Sequence, residues 1–105
     1  MRRWYVPEIH FVVRWPDDTV TACYSPSLVV QEVFAVGASY ALDDFLARSR
    51  EALGIASERV RARYGFPCSR AQAELASIEA KCGALERTHS GGLDTAVRLE
   101  AFVPI

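Results

Sequence analysis

The chain predicts an α+β domain: a small antiparallel sheet of about three strands, in the order ββαααβ, with three helices packed on one face. Three observations carry that expectation. Apolar and polar residues alternate near both ends of the chain, the period of a half-buried strand. Two long central segments instead repeat apolar residues three and four apart, the period of a helix face. Between them stand Pro, Gly, Asp and Ser at positions where turns and helix ends are built. At 105 residues, half of them apolar and 24% charged, the chain suits one domain, 1–105, around one core.

The elements follow in order. From Glu8 to Trp15, Ile9, Phe11, Val13 and Trp15 fall on one face and Glu8, His10, Val12 and Arg14 on the other. Pro16-Asp17-Asp18 has turn residues, and Thr19 to Tyr24 resumes the alternation, so an antiparallel hairpin is expected. Ser25 suits an N-cap and Pro26 a first helical position, where its missing N–H costs nothing. A short helix should therefore begin there, with Leu28, Val29, Val33 and Phe34 toward the core, and end at Val36-Gly37-Ala38-Ser39. The second helix should run from about Leu42 to Tyr64, with Leu42, Phe45, Leu46, Ser49, Leu53, Ala56, Val60 and Tyr64 as its stripe. Gly65 is placed to end it and Pro67 to enforce the stop.

Ser69-Arg70-Ala71-Gln72 has the composition of a capping box, and Ala71, Leu75, Ile78, Cys82 and Leu85 then mark a third helix. Thr88 to Gly92 should be a loop carrying His89, and Thr95 to Val103 alternates again as a closing strand. Three strands would leave two open edges, so a homodimer is expected, with Trp4, Tyr5 and Trp15 as interface aromatics.

Charge and cysteine usage narrow the function classes. A net charge of -1 argues against nonspecific nucleic-acid binding. No run of about 18 apolar residues offers a membrane span. Met1 to Pro7 has two arginines but no apolar stretch, so no secretory leader is expected. Three cysteines without CxxC spacing then suggest free thiols in the cytoplasm. His10 and His89 are too far apart in sequence to suggest a metal site, and no cofactor is expected.

Two chemistries stay open at the residue level. Ser25, Ser27 and a helix start beside them could hold a carboxylate or phosphate, with Arg59 and Arg63, four apart on one helical face, as a charge-assisted fork. Arg70 stands in the first turn of a helix, where a cation is unfavourable without an anion nearby. The plain alternative is that the serines only cap and the arginines pair with Glu58, Glu51 or Asp44. The other chemistry is a thiol: Cys23 and Cys68 both precede expected helix starts, and His10 is the only base placed to serve Cys23, provided both share a face of the sheet.

Several strings carry a resemblance. Pro7 to Asp17, Cys23 to Val30, Ala56 to Phe66, Cys68 to Ala71 and Val97 to Pro104 are similar to a family of small bacterial proteins named for the nitrogen-starvation response. The likeness runs from Pro7 onward and leaves residues 1–6 as a variable extension. It implies a genetic setting: members are typically encoded beside a nitrilase-type hydrolase, a radical-SAM protein, an acetyltransferase-like protein and a flavin-dependent oxidoreductase, a cluster associated with assimilating nitrogen from nitriles or cyanide. The family brings no catalytic residues with it. The expectation is thus a non-catalytic accessory or ligand-binding protein, with a thiol-dependent enzyme or sulfur carrier, or a scaffold docking one of the cluster enzymes, as alternatives.

Overall fold

The alternating first segment forms strand β1 (Ile9–Arg14), with Ile9, Phe11 and Val13 buried and the residues between them half-buried. The computed structural model describes residues 8–88 and 96–105. The N-terminal extension with Trp4 and Tyr5, and the loop expected at His89, lie outside these residues. Strand β2 (Val20–Ser25) pairs antiparallel with β1, placing Phe11 opposite Cys23 and His10 opposite Tyr24. Asp18 closes the turn with φ 71°, a left-handed conformation that aspartate tolerates, while the Trp15 N–H donates to the Thr19 carbonyl at 2.8 Å.

The remaining elements are α1 (Val30–Val33), β3 (Ser39–Ala41), α2 (Leu42–Tyr64), α3 (Ser69–Thr88) and β4 (Ala96–Pro104). The sheet therefore has four strands, not about three, in the order β2-β1-β4-β3 and antiparallel throughout. The extra strand starts at Ser39, the last residue of the expected helix break, and fills the gap before α2. Ser39, Tyr40 and Ala41 pair with Arg98, Val97 and Ala96, and the Tyr40 hydroxyl accepts from the Ala35 N–H at 2.8 Å. Three residues are too short to show a period, so pairing with β4 is what makes them a strand.

The first helix is also shorter and later than expected. Ser25 ends β2 and bonds locally: its Oγ donates to the Ser27 carbonyl at 2.7 Å and accepts from the Ser27 N–H at 3.2 Å. That local competition with helix bonding turns Ser25 to Leu28 into a compact bend, and the single helical turn begins at Val30. In α3 the first intrahelical bond runs from the Gln72 N–H to the Cys68 carbonyl at 3.2 Å. Cys68, not Ser69, is thus the cap position.

One core joins the inner sheet face to the helices. Its centre is aromatic: Phe45 lies 5.3 Å from Trp15 edge-on and 5.2 Å from Phe34, which stacks on Phe11 at 5.8 Å. Trp15 is 3% exposed, so it belongs to this core and not to an interface. From α2 the core takes Leu42, Phe45, Ala52 and Leu53, and from α3 Ala71, Ile78, Cys82 and Leu85. Tyr64, expected on the α2 stripe, is 43% exposed, because the buried residues of that helix end at Ala56. On β4, Glu100 is an extra residue between Leu99 and Ala101, which pair with Val13 and Val12. This bulge brings one carboxylate to Arg14 at 3.3 Å and Arg98 at 3.5 Å.

Candidate functional site

Three clusters gather around the end of β2, and each contains residues singled out from the sequence. The first is the serine bend. Ser25 and Ser27 are buried, and the Ser27 hydroxyl oxygen accepts from the Val29 N–H at 3.2 Å and from Arg59 Nη1 at 3.0 Å. Arg59 on α2 thus reaches the serines, as the anion-site idea requires. The N–H groups of Ser27 and Val29, however, already donate to serine oxygens, and a helix of one turn supplies little dipole. Arg63, one helical turn on, is exposed.

The second cluster surrounds Tyr24 on the outer side of the sheet. Its hydroxyl donates to Glu8 Oε2 at 2.5 Å, the Arg70 guanidinium lies 3.8 Å from its ring centroid, and Arg70 Nη1 is 3.6 Å from the same Glu8 oxygen. Glu8 is the anion that compensates a cation in the first turn of α3. Burial, then the bond to Glu8 and its charge, push the Tyr24 phenol above its ordinary pKa, with Arg70 opposing. Cys68 stands close enough for its charge to act on Tyr24, and it is the half-buried one of three free thiols.

The third is a cleft of about 210 Å³ between β2 and α3, lined by Trp15, Thr21, Cys23, Glu74, Ile78 and Lys81 among others. Glu74 Oε1 accepts from the Tyr24 N–H at 2.8 Å, so a helix side chain covers this part of the sheet edge. Lys81 Nζ meets Asp17 Oδ2 at 2.8 Å, and that bond, with those from Thr19, holds the Asp17 carboxyl well below the usual range. Trp15 Nε1 donates to Thr21 Oγ1 at 3.0 Å. Cys23, fully buried, has its thiol pushed up by burial first and then by the charges of Glu74 and Cys82. Cys82 is raised to about 11, chiefly by burial.

The register settles one geometric question. Cys23 lies opposite Phe11 and points into the core, whereas His10 lies opposite Tyr24 and points to the other face. His10 is therefore out of reach as a base for Cys23. Among the described residues no group of three or more His, Cys, Asp or Glu side chains is arranged to hold a metal ion. Also among them, no helix is long and apolar enough to cross a membrane.

Sequence reasoning did not find Glu8, Glu74 or Lys81. Glu74 and Lys81 are seven apart, two turns on one side of α3 and bordering its apolar stripe, which is the signal that a flanking carboxylate or ammonium overhangs the sheet. Glu8 carries no such signal.

The chain matches the model of the nitrogen starvation-induced protein NitG family over residues 10–102. It belongs to the NitG family. The match takes in nearly all of the described elements, from the second residue of β1 into β4, and with them the residues of the three clusters around β2 except Glu8. No curated protein and no solved structure matches the chain. The NitG assignment thus connects the protein to nitrogen starvation, and the chemistry has to be read from the side chains themselves.

Proposed function

We propose that the protein serves the nitrogen-starvation response as a non-catalytic accessory protein, supporting the assimilation of nitrogen from nitriles or cyanide by binding a partner in the cytoplasm. The observation that carries this reading is the inward disposition of the reactive groups. Cys23 is sealed beneath α3 beside a carboxylate that disfavours its thiolate, and the nearest histidine in sequence terms points away from it. A catalytic thiol needs the opposite: access, a cationic neighbour and a base within hydrogen-bond reach. Ser25 and Ser27 are likewise engaged with their own bend and with Arg59, which weakens the case for a carboxylate or phosphate there. The thiol alternative narrows to Cys68, and the scaffold alternative gains from the polar groups being turned inward.

Deletion of the gene, followed by growth on a nitrile or on cyanide as nitrogen source, tests this reading. The deletion should slow growth, and chains carrying Cys68→Ala or Cys23→Ala should restore it as well as the wild type does. Failure of a folded Cys68→Ala chain to restore growth would replace the accessory role with thiol chemistry. A deletion strain that grows normally on both nitrogen sources would remove the nitrile or cyanide assignment.

A further inference from the structure

The buried side chains of α2 end at Ala56 and those of α3 begin at Ala71. Between them residues 58–67 are exposed, apart from the half-buried Val60. The two helices therefore run on past the core as a hairpin end, on a molecule measuring 48 × 24 × 18 Å. At its tip Phe66 is 65% exposed, more than any other large apolar side chain among the described residues.

That ring follows a glycine turn that closes the end of α2. Gly65 has φ 89°, a conformation that disfavours any residue with a Cβ, and its N–H donates to the Arg61 carbonyl at 2.8 Å. Pro67 locks the next step of the chain. Beside it a cleft of about 300 Å³ opens between α2 and α3, walled by Leu53, Gly54, Pro67, Ala71 and Leu75, with Glu58 at its rim. Four arginines (Arg59, Arg61, Arg63, Arg70) gather here with two acids, Glu58 paired with Arg61 and Glu8 paired with Arg70, a local charge of +2 in a chain of -1, so the rest carries -3.

We propose that this hairpin end is a docking surface for an acidic partner protein, whose matching face offers an apolar pocket for Phe66 ringed by carboxylates. Aromatic and arginine side chains are the usual anchors of such contacts, and the arginine fork pairs with carboxylates in two parallel bonds. A second copy docked tip to tip would bring +2 against +2 and is disfavoured by charge. A nucleic acid fits less well: its backbone needs a track of cations, whereas here they are confined to one knob with a glutamate at the cleft wall. The inference rests on the accessory reading and names its contact surface.

The test is photo-crosslinking in nitrogen-starved cells, with benzoylphenylalanine in place of Phe66 in the full chain and, as a control, in place of the exposed Gln31. Position 66 should give one discrete protein adduct that position 31 does not. The captured protein, purified, should be acidic and bind the wild-type chain. Either Phe66→Ala, with an unchanged unfolding midpoint, or the double variant Arg61→Glu/Arg63→Glu, in a chain whose circular dichroism matches the wild type, should weaken that binding at least tenfold. No adduct, an adduct of two copies, a nuclease-sensitive adduct, the same adduct from position 31, or rebinding indifferent to both variants would each overturn the proposal. The two ideas fail separately: a Phe66→Ala chain that fully restores growth rejects this surface and leaves the accessory role standing.

Discussion

Alkaline pH should loosen this fold through its two buried thiols before its tyrosines contribute much. Cys23 and Cys82 are both raised above the ordinary thiol value of 9, the latter to about 11, and burial is the leading cause in each. A raised acid is held protonated by the fold, so its contribution is fully present below the unfolded pKa. It is lost as the pH climbs from there toward the folded value, because the unfolded chain releases its proton first. Taking 9 as the unfolded value, the linkage relation gives a loss of about 0.8 kcal/mol per thiol at pH 9.5 relative to pH 7, or roughly 1.6 kcal/mol for the pair. Tyr24, raised from 10, adds only a small part at that pH. Urea unfolding at pH 7 and pH 9.5, on the wild type and on Cys23→Ala/Cys82→Ala, measures the difference. The double variant should be less stable at pH 7, yet should lose about 1.6 kcal/mol less than the wild type between the two pH values. Equal losses in both chains would refute the reasoning, as would rapid labelling of Cys23 in the folded protein at pH 8.

Two further perturbations probe the core. Phe45→Ala removes the ring that touches both Trp15 and Phe34 at a fully buried site and should cost about 3–5 kcal/mol in urea unfolding. Ser49 is the converse case: it is fully buried on α2, and its hydroxyl has no hydrogen-bond partner among the described residues. Ser49→Ala should therefore raise stability by roughly 1 kcal/mol, read as a higher urea midpoint at unchanged slope.

Long periodic segments were legible in the sequence, and short ones were not. The hairpin expected over 8–15 and 19–24 is found at Ile9–Arg14 and Val20–Ser25, and α2 runs from Leu42 to Tyr64 as the spacing predicts. A strand of three residues such as β3 leaves no period to read, since its stability comes from Arg98, Val97 and Ala96 some sixty residues away. The Ser25-Pro26 pair misled for a local reason: a serine hydroxyl that can cap a helix can also bond its own bend, and burial of that bend favours the latter.

The candidate site was legible in its residue types and illegible in its geometry. Arg59 and Ser27 do meet, and Arg70 does find an acid, but the acid is Glu8 at the start of β1. Whether His10 could serve Cys23 depended on the register of two strands, which pairs alternate residues on alternate faces and is fixed by the assembled sheet.

The stretch from Ser57 to Pro67 has one more consequence. It adds no fully buried side chain to the aromatic centre, so it is not obliged to open together with the sheet. Its helical hydrogen bonds can break and close again on their own, as a separate cooperative unit of low local stability. Slow exchange of backbone amides should accordingly be confined to β1, β4 and the inner turns of α2 and α3, with a fast-exchanging end beyond them. The fold is in this sense a rigid frame carrying one segment that can be reshaped without unfolding the remainder.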